Sequence, residues 1–195
     1  MLRESGLSLY GASNGKALLK RLSQQQTGRT TRIQNLIAKY LQQAKPGDYV
    51  AVLAYLAPSP ARDRWLKRLR ACLRDALRVA TSASYGPRYL HSTGQFHKGG
   101  PPKGLLLEIT AEPRRDLLIP CMSYSFGQLE LAQAQGDLEA LQVRQRPILR
   151  LHLEANTDQG LGESVRRIER ELSKTGSSVE KRRRVIRRLR TPSTS

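Results

Sequence analysis

The chain has 195 residues, and 34 Lys and Arg against 16 Asp and Glu give it a formal charge of +18. Its 38% hydrophobic content is lower than that of an average globular domain, yet too high for a wholly disordered chain. Two cysteines, Cys72 and Cys121, cannot frame a disulfide scaffold and lack metal-ligand spacing, which fits reduced thiols in the cytoplasm. No apolar run approaches the roughly 20 residues that span a bilayer, so no membrane partner is expected.

Residues 1–31 are polar and predict an N-terminal extension outside the core. The stripe Ile33, Leu36, Ile37, Tyr40, Leu41, Ala44 has the i, i+3, i+4, i+7 spacing of an amphipathic helix, with Thr30 or Thr31 as a cap and Pro46-Gly47 as its stop. Tyr49–Leu56 is apolar without alternation and reads as a strand buried on both faces. From Arg62 to Leu77 the apolar residues Trp65, Leu66, Leu69, Leu73, Ala76 and Leu77 line one side and arginines the other, the pattern of a surface helix packed on a sheet. Ser84–Lys103 has no period and many glycines and prolines, which predicts a long loop. Leu105–Thr110 then reads as a strand, Gly127–Leu141 as a helix and Pro147–Leu153 as a strand. Leu161, Val165, Ile168 and Leu172 fall at helical spacing. This alternation predicts an α/β three-layer sandwich with a mainly parallel sheet over residues 32–173. Residues 174–195, with Lys181-Arg182-Arg183-Arg184, predict a flexible, disordered basic tail.

The chemistry-bearing residues gather in the expected loop. His91 and His97 lie six residues apart with Ser92, Thr93, Gly94 and Gln95 between them, bracketed by Arg88 and Lys98. Hydroxyls, cations and glycine-freed N–H groups are the ingredients of a phosphate or polyol pocket, and a histidine moves protons near neutral pH. The plainer reading is a turn-rich connection with surface histidines. No Glu, Asp or Cys accompanies the two imidazoles in this segment, so no metal is expected.

The stretch Gly86-Pro87-Arg88-Tyr89-Leu90-His91-Ser92-Thr93-Gly94-Gln95-Phe96-His97-Lys98-Gly99-Gly100-Pro101 resembles the C-terminal portion of bifunctional transaldolase/glucose-6-phosphate isomerases. Gly47–Leu56 upstream, and Ser123–Leu129 and Ala132–Leu138 downstream, resemble the same family in order and spacing, over about residues 40–153. The resemblance implies a sugar-isomerase (SIS-type) domain of carbohydrate metabolism that interconverts glucose 6-phosphate and fructose 6-phosphate by acid–base chemistry through an enediol, without a cofactor. It implies His97, with His91 second, as the ring-opening acid, and Arg88, Ser92, Thr93, Gln95 and Lys98 as contacts to the sugar phosphate. The family's base sits in a Glu-Ser-Asn-Gly-Lys element; in Ala12-Ser13-Asn14-Gly15-Lys16 an alanine replaces the carboxylate, and an alanine removes no proton. Glu108 and Glu112 follow the loop without being aimed at a sugar. The family's barrel and first isomerase domain are missing from this sequence, which implies a terminal piece needing a separate chain or a homo-oligomer to complete a site. A second class of function stays open: a non-catalytic basic module that contacts nucleic acid or another polyanion through the arginine-rich tail. The lack of any aromatic residue after Phe126 counts against single-strand stacking.

Overall fold

In the computed structural model, residues 1–4, 6–11, 20, 32–113, 115–154 and 157–189 are described, with side chains to Lys174. Six strands form one sheet: β1 (Leu2–Glu4), β2 (Leu7–Gly11), β3 (Tyr49–Tyr55), β4 (Ala80–Tyr85), β5 (Gly104–Ala111) and β6 (Ile148–Leu153), in the order β1-β2-β6-β5-β3-β4. β6, β5, β3 and β4 run parallel, while β2 pairs antiparallel with β6 and β1 antiparallel with β2. The helices are α1 (Ile33–Leu41), α2 (Pro60–Leu77), the short α3 (Thr93–Gly99), α4 (Phe126–Val143) and α5 (Thr157–Leu189), with a 3-10 turn at Arg88–His91.

Alternate residues of β3 point to opposite faces, and each face has its own core. Val50, Val52, Ala54 and Leu56, with Leu105, Leu107 and Ile109 of β5, pack beneath α1, α2 and α5 through Leu36, Leu69, Leu73, Val165 and Ile168. Ala51, Leu53 and Tyr55 meet Tyr89 and Ala134, Leu138 and Leu141 of α4 on the other side. The result is a three-layer α/β sandwich with a mixed, mostly parallel sheet. Among the described residues no helix is long and apolar enough to cross a membrane.

Four expectations are corrected. The N-terminal segment is no mere extension: Leu7 and Leu9 are buried and β2 pairs with β6 from Leu7↔Leu153 to Gly11↔Leu149. The start of α1 is satisfied by the Glu4 carboxylate, which accepts from the Ile33 N–H at 2.9 Å, whereas Thr30 and Thr31 lie outside the described residues. The Ser84–Lys103 loop is instead the end of β4, the 3-10 turn and α3; β4 reads Ala-Thr-Ser-Ala-Ser-Tyr, and an edge strand half-covered on each face needs no apolar run. The backbone of the expected tail continues α5 as helix to Leu189, and residues 190–195 lie outside the described residues.

The turn leaving β4 is fixed by close packing. A Cβ on Gly86 would stand 2.5 Å from the ring of Tyr55, which is 1% exposed. The ring is locked in the core, so Gly86→Ala is expected to cost about 2–3 kcal/mol, read as a lower urea midpoint with an unchanged m-value.

Candidate functional site

The parallel strands run in the order β4-β3-β5-β6. From β3 the chain first goes outward to β4 and then crosses back to β5, so the direction of winding reverses between β3 and β5. Open α/β sheets bind ligands beyond the carboxyl ends of the two strands flanking such a reversal. A cleft of about 200 Å³ lies there, lined by Tyr55, Leu56 and Ala57 after β3 and by Ala111, Glu112, Pro113 and Arg115 after β5. Arg62 of α2, Glu130 of α4 and Thr157 at the start of α5 complete its wall.

Each polar group is placed by an identifiable device. Ser59 caps α2, its hydroxyl accepting from the Arg62 N–H at 3.2 Å, with Pro60 in the first turn. The Arg62 side chain is then tied down by Asp158 at 2.7 Å and by the Ala57 carbonyl at 2.6 Å. Ser125 and Gln128 form a capping box at the start of α4, and the Asp116 carboxylate accepts from the Ser125 hydroxyl and, at 2.8 Å, from the Gly127 N–H. That double tether fixes α4, and with it Glu130. Burial pushes the Glu130 carboxyl above its usual range, opposed by the Arg62 guanidinium. Glu112 and Arg115 are exposed at the rim. The site thus offers two guanidinium groups and two carboxylates around a small hollow of mixed polarity, groups able to bind a phosphate and hydroxyls.

The residues singled out from the sequence do not line this cleft, although Tyr89, in the turn that holds Arg88 and His91, packs on its Tyr55. Their segment forms the crossover from β4 to β5, and it returns to the amino ends of the strands. His97 is 5% exposed, and its Nδ1 lies 3.0 Å from the hydroxyl of Tyr49, the first residue of β3. The cleft adjoins Tyr55, the last residue of β3; six steps of about 3.3 Å put roughly 20 Å between the two ends. The imidazole sits among Tyr49, Tyr89 and Phe96, with ring centroids at 5.5, 6.4 and 6.2 Å. Burial lowers its pKa, partly offset by Asp137. Lys98 also turns inward, to Asp137 at 2.6 Å. Arg88, His91, Ser92, Thr93 and Gln95 are exposed. The structure therefore divides the set into an inward pair and an outward group. Ala12–Lys16 lie outside the described residues.

Glu108 is likewise absorbed by the fold, fully buried and bonded to Arg150. Sequence reasoning missed Arg62, Arg115, Glu130 and Thr157; the available signal was position, since each follows or faces the carboxyl end of a strand.

No family model matches the chain, and no curated protein does. A crystal structure of a hypothetical protein from Thermus thermophilus is similar in fold, with a TM-score of 0.64 at 15% sequence identity, covering 90% of this chain and 49% of that one. The chain thus spans about half the length of that structure, and at this identity the likeness concerns the fold alone.

Proposed function

We propose that the chain is a sugar-isomerase-type (SIS-like) domain that binds a phosphorylated hexose in the cleft between β3 and β5. The carrying observation is the coincidence of a hollow holding Arg62, Arg115, Glu112 and Glu130 with the reversal point of the strand order. The motifs over residues 40–153 support the same reading through their resemblance to glucose-6-phosphate isomerases. Arg115, exposed and without an acidic partner among the described residues, takes the phosphate. Glu130 takes the role of the base that the sequence left vacant: it lines the cleft, and burial raises its pKa, the direction that suits a carboxyl shuttling a proton between C1 and C2 of an enediol. His97 in this reading holds the crossover in place through Tyr49. Full turnover is assigned to an assembly with a second chain or a second copy, because the cleft is open at its Glu112–Arg115 rim.

The test is thermal and urea unfolding of the chain with fructose 6-phosphate. At ten times Kd the ligand is expected to add about 1.4 kcal/mol, with inorganic phosphate weaker. Arg115→Gln and Glu130→Gln should each weaken binding about tenfold or more, the loss of one charge-assisted hydrogen bond. If His97→Ala or Gln95→Ala abolishes the stabilisation while both cleft variants keep it, the sugar binds on the crossover and the cleft assignment is wrong.

A further inference from the structure

We infer that the joint outer face of α2 and α5 binds the phosphate backbone of a double-stranded nucleic acid, at a surface separate from the cleft. On α2, Arg64 and Lys67 are exposed one turn apart along one side of the helix, and the left-handed C-cap residue Arg78 is exposed just past its end. On α5, Arg166 and Arg170 are exposed one turn apart. The two stripes belong to one surface because the helices pack in register. A Cβ on Gly162 of α5 would stand 2.9 Å from the ring of Trp65 on α2. The Arg166 guanidinium lies 5.0 Å from the centroid of the same ring, and Arg68 reaches Glu169 at 2.6 Å.

The acidic residues nearby are already engaged, Asp63 by the Tyr85 hydroxyl at 2.7 Å and the others by cations. Asp75 pairs with Arg74, Asp158 with Arg62, Glu169 with Arg68, Glu163 with Arg167 and Glu171 with Lys174. Among the described residues Arg64, Lys67, Arg166 and Arg170 have no acidic partner, and Arg78 shares the exposed Asp75 with Arg74, so the face keeps a net positive field.

Its chemistry selects the partner. Arginines outnumber lysines among these five, and guanidinium groups match phosphate oxygens in a fixed fork. No large apolar side chain is exposed on α2 or on the described part of α5, whereas a helix lying on a membrane needs an apolar face to bury. The aromatic residue of the face, Trp65, is held between Arg68 and Arg166 rather than offered to an unstacked base. A duplex presents phosphates without exposed base faces. Along the same axis the α5 backbone runs on through 33 residues, about 50 Å of helix, and its sequence includes Lys181-Arg182-Arg183-Arg184.

The experiment is fluorescence anisotropy of a 20-base-pair DNA duplex with the full chain at 50, 100 and 200 mM NaCl. Five phosphate contacts give a slope of log K against log salt of about −4 to −5, so affinity should fall several hundred-fold over that range. The triple variant R64Q/K67Q/R78Q should flatten the slope by about 2.7 while its circular-dichroism melting curve stays at the parent position. Fructose 6-phosphate in excess should leave duplex binding unchanged, which separates this face from the sugar reading. A triple variant with the parent's affinity and slope overturns the inference. So does equal competition by oligo-dT, by polyglutamate or by anionic lipid vesicles.

Discussion

Arg150→Met is expected to cost about 3–5 kcal/mol at pH 8 and much less at pH 5. Glu108 and Arg150 are register partners on β5 and β6, beneath α4, and the carboxylate is 0% exposed. Arg150 donates to Glu108, to the Gln135 side-chain oxygen at 2.8 Å and to the Ala134 carbonyl at 2.8 Å. It therefore ties strand β6 to both strand β5 and helix α4. The second carboxylate oxygen of Glu108 has no hydrogen-bond partner among the described residues. Burial outweighs the Arg150 pairing and pushes the Glu108 pKa up to about 7 from an ordinary 4.5. A carboxyl raised on folding holds its proton better in the folded state. Its favourable contribution is present below about pH 4.5 and is lost as pH rises through about 7. The parent protein should accordingly lose about 2–3 kcal/mol between pH 5 and pH 8 from this group. Removing the guanidinium takes away the chief force holding that pKa down. At pH 8 the variant must bury either an unpaired charge or a proton taken up at a cost. At pH 5 the acid is already neutral, and only the three hydrogen bonds of the guanidinium are lost. Urea unfolding at both pH values reads the difference directly, and equal losses at pH 5 and pH 8 would show that Glu108 is not the titrating group.

That pair also shows what the sequence made legible. The amphipathic stripes of α1, α2 and α4 and the apolar runs of β3, β5 and β6 were readable because each is buried on a face whose period the sequence must match. β4 and β1 were not, since small or polar residues suffice at the end strands of a sheet, and β2 was not because its buried Leu7 and Leu9 form too short an alternation to stand out in a polar segment. A carboxylate within Leu105–Thr110 was a signal that passed unused: a charge in a strand buried on both faces demands a cation across the ladder, and Arg150 in Ile148–Leu153 is the cation that the parallel pairing delivers. The cleft was invisible for a different reason. Arg62, Glu112, Arg115 and Glu130 share no local spacing, and they converge only once the strand order is known. The histidine-bearing motif misdirects by its density of polar side chains, because its specificity is in part a matter of packing. Lys98 of one motif and Asp137 of another meet in the core, so two segments forty residues apart are matched to each other as well as to any ligand.

That contact carries the other large effect: Lys98→Met is expected to cost about 3 kcal/mol, more than the double variant Lys98→Met/Asp137→Asn. Asp137 is 3% exposed on α4, accepts from the Tyr89 hydroxyl and pairs with the Lys98 ammonium at 2.6 Å. The Tyr89 hydroxyl in turn lies 3.4 Å from that of Tyr55, and its ring stands edge-on to the Tyr55 ring at 5.9 Å. Burial and the neighbouring carboxylate both push the Tyr89 pKa up, so the phenol stays protonated and donates. Taking away the ammonium leaves a buried carboxylate with one neutral donor, and the penalty falls on the carboxylate rather than on the lysine's own stem, which methionine replaces. Asparagine at 137 removes the charge but keeps an acceptor for Tyr89, so in the double variant nothing ionic is stranded. A double-mutant cycle should therefore return a coupling of about 2 kcal/mol. Were Lys98 instead held out for a sugar phosphate, Lys98→Met would leave urea stability within about 0.5 kcal/mol of the parent, and the coupling to Asp137 would vanish.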